Sequence, residues 1–175
     1  MADLLILLAA LAAAQAPVAK ADPAFLPSTP VDIASAVGDC WRAVGPGGID
    51  FKRLANSGGV AVVDANGQRL KTTLDTFLKS GANHRIMIPQ AAEAKPLCAV
   101  IARISSPSER GATAGNIGQL LLAIDPGLTA AEAGQGVLFQ SGPTFALVDD
   151  FEFDYVTKEQ PGLRITVGYK IAEKK

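Results

Sequence analysis

The chain contains two cysteines and one histidine, and these three side chains limit the chemistry open to it. Cys40 lies in "GDCWRAVG" beside the only tryptophan, Trp41, and Cys98 lies in "PLCAVIA". The chain has no C-x-x-C redox pair, and the spacing of its cysteines and histidine matches no structural zinc motif. A catalytic cysteine needs a base or a positive environment to form its thiolate, and His84 is the only imidazole that could provide one. The alternatives are therefore a disulfide, two buried thiols, or a Cys–His catalytic pair.

His84 is the candidate catalytic residue, because any Ser-His-Asp triad in this chain would have to use it. It lies in "SGANHRIMI", between a predicted helix end and a predicted strand, and such connecting segments often carry functional residues. However, the sequence contains neither a G-x-S-x-G elbow nor an S-x-x-K motif, and no partner for the imidazole is identifiable. These observations favour a solvated histidine in a turn.

Three carboxylates in "VDDFEFD" are the candidate metal ligands, and they are Asp150, Glu152 and Asp154. An EF-hand is excluded because Tyr155 stands where the loop needs glycine and Pro161 where it needs the bidentate glutamate. On a strand the three carboxylates would share a solvent-exposed face, where Arg164 and Lys170 could offset their charge. We therefore expect a solvated strand face, with a weak calcium site as the alternative.

The segment "GATAGNIGQLL" (111–121) raises the question of phosphate binding, because it follows a predicted strand and opens a predicted helix. It matches neither G-x-G-x-x-G nor G-x-x-x-x-G-K-[ST], and a helix N-terminus alone is a weak anion site. Gly115 and Gly118 more simply allow the helix to approach a sheet closely. No cofactor is predicted.

The N-terminus has the pattern of a secretory signal peptide. An apolar run at 4–14 is too short to span a bilayer, and "AKA" at 19–21 offers a cleavage site after Ala21, with Ala14 as an alternative. The segment before the apolar run departs from the pattern, because it has Asp3 and neither lysine nor arginine. A buried apolar helix and a retained membrane anchor are the alternatives.

Export would place the protein in the periplasm of a Gram-negative bacterium, and otherwise outside the cell. In such an oxidising compartment, two cysteines on core-facing positions favour a disulfide between Cys40 and Cys98. No later stretch is long and apolar enough to span a membrane after signal cleavage. A net charge of −1 and a pI of about 5.8 leave no basic surface for nucleic acid.

The length of 175 residues fits one domain. We predict a signal peptide at 1–21, an extended leader at 22–30, and one α+β domain at 31–175 in which two or three helices pack on a mostly antiparallel sheet. Thr29 is the expected N-cap of the first helix. One face of that helix carries Ile33, Val37, Cys40, Trp41 and Val44.

The remaining predicted elements alternate between short helices and strands. They are a helix at 49–56, a hairpin at 59–71 with Asn66-Gly67 in its turn, a helix at 73–80, strands at 85–89 and 97–104, a helix at 113–124, and strands at 136–140, 145–155 and 163–172. The last two strands each alternate between apolar and polar residues. Pairing their apolar faces sets Phe153 opposite Ile165 and Asp154 opposite Arg164.

These features favour an exported, non-catalytic binding or interaction protein with one structural disulfide. Its partner would be an envelope protein or a small apolar ligand, and a ligand-sized cavity between helices and sheet would favour the small ligand. The alternatives are a secreted hydrolase that uses His84 and an inhibitor or immunity-type protein. A deep pocket containing His84 and a carboxylate would favour the hydrolase.

Export is testable on the protein as cells produce it. Mass spectrometry of the exported form should show that residues up to Ala21 are missing, because the signal peptidase cuts after a small-x-small site. Recovery of the chain with its original N-terminus would contradict the assignment to an oxidising compartment.

Overall fold

The structure is a computed structural model that describes residues 26–56, 59–61, 74–79, 83–89, 96–134, 136–152 and 161–171. The predicted signal peptide, the Asn66-Gly67 turn and the pair Phe153 and Asp154 lie outside these residues. The fold is α+β, as predicted: helices pack on one face of an antiparallel sheet.

The first helix, α1, spans Pro30–Ala43 and begins as the sequence predicts. Thr29 is its N-cap, and the Thr29 hydroxyl accepts a hydrogen bond from the Asp32 backbone N–H (3.2 Å) and donates one to the Asp32 carboxylate (2.7 Å). A cap of this kind stabilises a helix by about 1 kcal/mol. The predicted apolar face is confirmed, because Ile33, Val37 and Cys40 are fully buried.

The second helix, α2, is also confirmed, and the third begins earlier than predicted. A two-stranded hairpin of β1 (Val44–Gly45) and β2 (Gly48–Ile49) leads from α1 to α2 (Phe51–Asn56). Asp50 caps α2 by accepting a hydrogen bond from the backbone N–H of Arg53 (3.1 Å). The third helix, α3, spans Glu109–Ile124 and starts four residues before the predicted Thr113.

Eight strands form the main sheet. In chain order they are β3 (Gly59–Ala61), β4 (Leu74–Lys79), β5 (Arg85–Pro89), β6 (Leu97–Arg103), β7 (Thr129–Ala133), β8 (Gly136–Ser141), β9 (Thr144–Glu152) and β10 (Pro161–Tyr169). Their spatial order is β3-β4-β5-β6-β10-β9-β8-β7, and every neighbouring pair is antiparallel.

This order makes the sheet from two similar halves. Each half is a helix followed by four consecutively paired strands: α1 precedes β3 to β6, and α3 precedes β7 to β10. The halves join through their last strands, β6 and β10, with Val100 opposite Ile165 near the middle of the pair. The two helices pack against each other, and α1 also contacts both central strands.

The predicted disulfide is present and links α1 to the centre of the sheet. Cys40 on α1 bonds to Cys98 on β6, with 5.7 Å between their Cα atoms. Both cysteines are fully buried, and Trp41 beside them is 6% exposed. The sequence placed both residues on core-facing positions, and that placement is correct.

The prediction of a helix at 73–80 is wrong, because this segment is strand β4. Its backbone pairs with β3 on one side and β5 on the other, with Phe77 opposite both Ala61 and Ile86. Periodicity cannot distinguish a helix from a strand in so short an apolar run. Here the neighbouring strands decide the conformation. Strand β7 was not predicted at all.

The predicted register of the last two strands is also wrong. Ile165 lies opposite Val148, and Arg164 lies opposite Asp149, with 3.4 Å between the Arg164 Nη2 and the Asp149 Oδ2. The reason is that Ala146 and Val148, before the phenylalanines, supply the buried positions of β9. The register differs from the prediction by an odd number of residues, so Asp150 lies on the opposite face of the sheet from the one predicted.

The disulfide closes a loop of 58 residues, and we expect its reduction to lower the free energy of unfolding by about 4 kcal/mol in the loop-entropy model. Urea unfolding with and without a thiol reductant measures this. A double variant, Cys40→Ala with Cys98→Ala, is the control, because reductant should leave its unfolding midpoint unchanged. An unchanged midpoint for the reduced wild-type protein would contradict a structural role for the bridge.

Candidate functional site

The disulfide removes both cysteines from catalysis. No thiol is free, because the two cysteines of the chain bond to each other inside the core. The Cys–His pair considered from the sequence therefore does not form. The bridge instead fixes α1 on β6. Because α3 packs against α1, the bridge also helps to hold α3 in place.

His84 is buried, so the expectation of a solvated turn histidine is wrong. It immediately precedes β5 and is 1% exposed. The leader covers this end of the sheet: the Ser28 backbone N–H donates to the Arg103 carbonyl (2.8 Å), and the Asn83 side-chain amide donates to the Pro27 carbonyl (3.2 Å). Burial also lowers the pKa of the Arg103 guanidinium. The imidazole is therefore shielded from solvent in this arrangement.

Of the three acidic candidates, Asp150 is the one whose side chain the structure describes. Asp150 forms an ion pair with Arg110 on α3, and not with Arg164 or Lys170, the cations expected to offset the charge of this strand face. Glu152 ends β9 and its side chain is outside the described part, as is the whole of Asp154. Among the described residues, no group of three or more potential metal ligands comes together.

The glycine-rich segment is not a phosphate loop. Because α3 begins at Glu109, residues 111–121 lie within the helix, and their backbone N–H groups are not arranged as a loop around an anion. The expectation of close helix–sheet packing is confirmed for Gly118, since an added Cβ would lie 3.0 Å from the Phe139 ring. At Gly115 an added Cβ would meet nothing within 4 Å.

That open space belongs to an apolar cleft between α3 and the strands β7 and β8. The cleft has a volume of about 440 Å³ and is lined by Ala114, Gly115, Gly118, Gln119, Leu122, Leu128, Thr129, Ala130, Val137 and Phe139. Phe139 is buried at its base, and Leu122 is 51% exposed at its side. Among the described residues that line it, none is charged.

Small side chains and a polar rim shape the cleft. Ala114, Gly115 and Ala130 leave the space that larger residues would fill. Gln119 and Thr129 are exposed at the rim, and the Thr129 hydroxyl donates to the Gln140 carbonyl (3.0 Å). The two glycines were visible in the sequence. The cleft could not be predicted from the sequence, because it also requires β7, which the sequence pattern did not indicate.

Comparisons of the chain with protein-family models, with curated proteins and with solved structures found no match. In the described part of the chain, no helix is long and apolar enough to cross a membrane.

Proposed function

We propose that this chain is an exported, non-catalytic binding protein that uses the cleft between α3 and β8 to hold an apolar group. The observation that carries the proposal is the cleft itself. Its volume of about 440 Å³ lies in the range of ligand sites, which are mostly apolar with a few polar groups for orientation. Gln119, exposed at the rim, provides such a polar group.

The composition of the cleft supports binding over catalysis. Acid–base and nucleophilic catalysis need a titratable or nucleophilic group beside the substrate. The described lining residues include no histidine, cysteine, carboxylate or basic residue, and Thr129, the one hydroxyl among them, donates to a backbone carbonyl. Burial of an apolar ligand surface is the interaction this site offers, at roughly 25 cal/mol per Å² of apolar area removed from water.

The framework around the cleft supports a preformed site. The helical wall, α3, packs against α1, and the disulfide fixes α1 to β6. The ion pair between Arg110 and Asp150 adds a contact between α3 and β9. A wall held from several sides loses little conformational entropy on binding, and this favours affinity.

Export is supported by two independent features. The apolar segment at 4–14 with the small-x-small site at 19–21 is typical of a signal peptide. The buried Cys40–Cys98 bridge is of a kind that persists in oxidising compartments and is rare in reducing ones. Together they favour the periplasm or the extracellular space.

The two alternatives receive unequal support. The hydrolase interpretation depended on His84, whose burial keeps it from contact with a substrate. An inhibitor or immunity-type protein would present exposed backbone to its target. The exposed turn at Pro46 and Gly47, between β1 and β2, and the exposed strand β7 are surfaces of that kind.

The dye 1-anilinonaphthalene-8-sulfonate tests the cleft, because its fluorescence rises in apolar sites. We expect the folded wild-type protein to bind it, and Gly115→Leu to weaken binding about ten-fold or more by filling the cleft. Gly111→Leu is the matched control. It changes another exposed glycine of α3 that has open space around it and does not line the cleft.

Neither substitution should unfold the protein, because leucine favours a helix over glycine by about 0.8 kcal/mol. Thermal unfolding of both variants checks this. His84→Ala should leave dye affinity unchanged in protein that remains folded. Equal binding by the Gly115 and Gly111 variants, or no binding by the wild type, would contradict the proposed site.

A further inference from the structure

Strand β7 is an exposed edge of the sheet. Within the described ranges β8 is its one neighbour, and four of its five residues, 129–132, are exposed, so its outer side is uncovered. An uncovered edge offers a row of backbone donors and acceptors to any other extended chain. Proteins protect such edges or use them for binding.

The geometry of the β7–β8 hairpin determines which backbone groups point outward. The two strands close with Ala133 opposite Gly136, which are three positions apart in the chain. In a hairpin of this length the closing pair exchanges hydrogen bonds, and the pairs then alternate along the ladder. The backbone N–H and C=O groups of Ala130 and Glu132 therefore point away from β8, toward the uncovered side.

The side chains of the same two residues lie on the helix-covered face. Ala130 is opposite Phe139, whose ring is buried at the base of the cleft, and Glu132 is two positions further along. Ala130 also lines the cleft directly. The outward backbone groups and the apolar cleft are thus contiguous. This is the arrangement by which a sheet edge receives an added peptide strand and its alternate side chains.

We propose that the partner of this protein is an extended segment of another polypeptide, which pairs with β7 as a ninth strand and inserts a large apolar side chain into the cleft. This proposal rests on the proposed function and names the class of partner. The backbone of the segment bonds to Ala130 and Glu132. Its inward side chain opposite Ala130 fills the space that alanine leaves.

The charge at Glu132 specifies a second feature of the segment. Glu132 is exposed, and among the described residues it makes no ion pair. A lysine or arginine directly across the strand pair would stabilise the complex, because opposite charges there attract. The segment therefore carries a large apolar residue and a basic residue two positions apart.

A second copy of this chain is a poorer occupant. If two β7 strands paired with each other, the side chains facing each cleft would be Ala130 and Glu132 of the partner copy. Alanine is too small to fill the cleft, and a buried, unpaired carboxylate is unfavourable. The chemistry of the edge thus favours a different polypeptide.

Synthetic nine-residue peptides labelled with fluorescein test the proposal by fluorescence anisotropy. In each peptide, threonine occupies every second position, and a leucine and a lysine lie two positions apart between the threonines. Both orders of leucine and lysine are tested, because the added strand could pair in the antiparallel or the parallel direction. We expect binding to the wild-type protein, and a dissociation constant about five-fold higher for a peptide with glutamate in place of lysine. Glu132→Lys should reverse this preference, and Gly115→Leu should lower the affinity for both peptides.

The outcomes separate the two proposals. Dye binding without peptide binding would overturn the strand-addition proposal and leave the proposed function standing, whereas absence of both would overturn both. Peptide binding with no change of charge preference in Glu132→Lys would also overturn the proposed edge. The proposed partner would also be contradicted if sedimentation showed that the wild-type protein is a dimer and that Gly115→Leu converts it to a monomer.

Discussion

The antiparallel pairing of β6 with β10 is the constraint on which the rest of the structure depends. It joins the last strands of two four-strand halves, so the helices that begin the halves come together on one face of the sheet. Cys98 on β6 carries the disulfide to α1, and Cys98 lies opposite Val167 of β10. The covalent link and the central strand pair are therefore at one place in the core.

The same pairing determines which parts of the sheet remain open. Because the last strands occupy the middle, the first strand of each half lies at an edge, and β7 is the edge of the second half. Gly118 lets α3 approach Phe139 closely, while Gly115 and Ala114 leave a gap nearer the N-terminus of the helix. A cleft beside an uncovered strand is the result. Its position is a consequence of topology, and its apolar character is a consequence of the residues on α3 and β8.

Local signals in the sequence predicted α1 and β6 well. Thr29 with Asp32 marked the start of α1, and alternation in "LCAVIARI" placed Cys98 on the buried face of β6. Non-local pairing could not be predicted in the same way. The conformation of β4 is decided by its two neighbours, and the register of β10 by Ala146 and Val148, which precede the more conspicuous phenylalanines. The cleft was missed because β7, rich in alanine, has little of the β-branched or aromatic character of strands.

Hydrogen exchange of the β7 amides, followed by NMR with and without the leucine–lysine peptide, tests the central claim that this edge and its cleft form the binding region. We predict that bound peptide slows exchange at the amides of Ala130 and Glu132 by about ten-fold or more, because their outward N–H groups gain partners. The amides of Ala131 and Ala133 should change far less, since they already bond to β8. Equal protection of all four amides, or protection confined to the region of His84, would contradict the account.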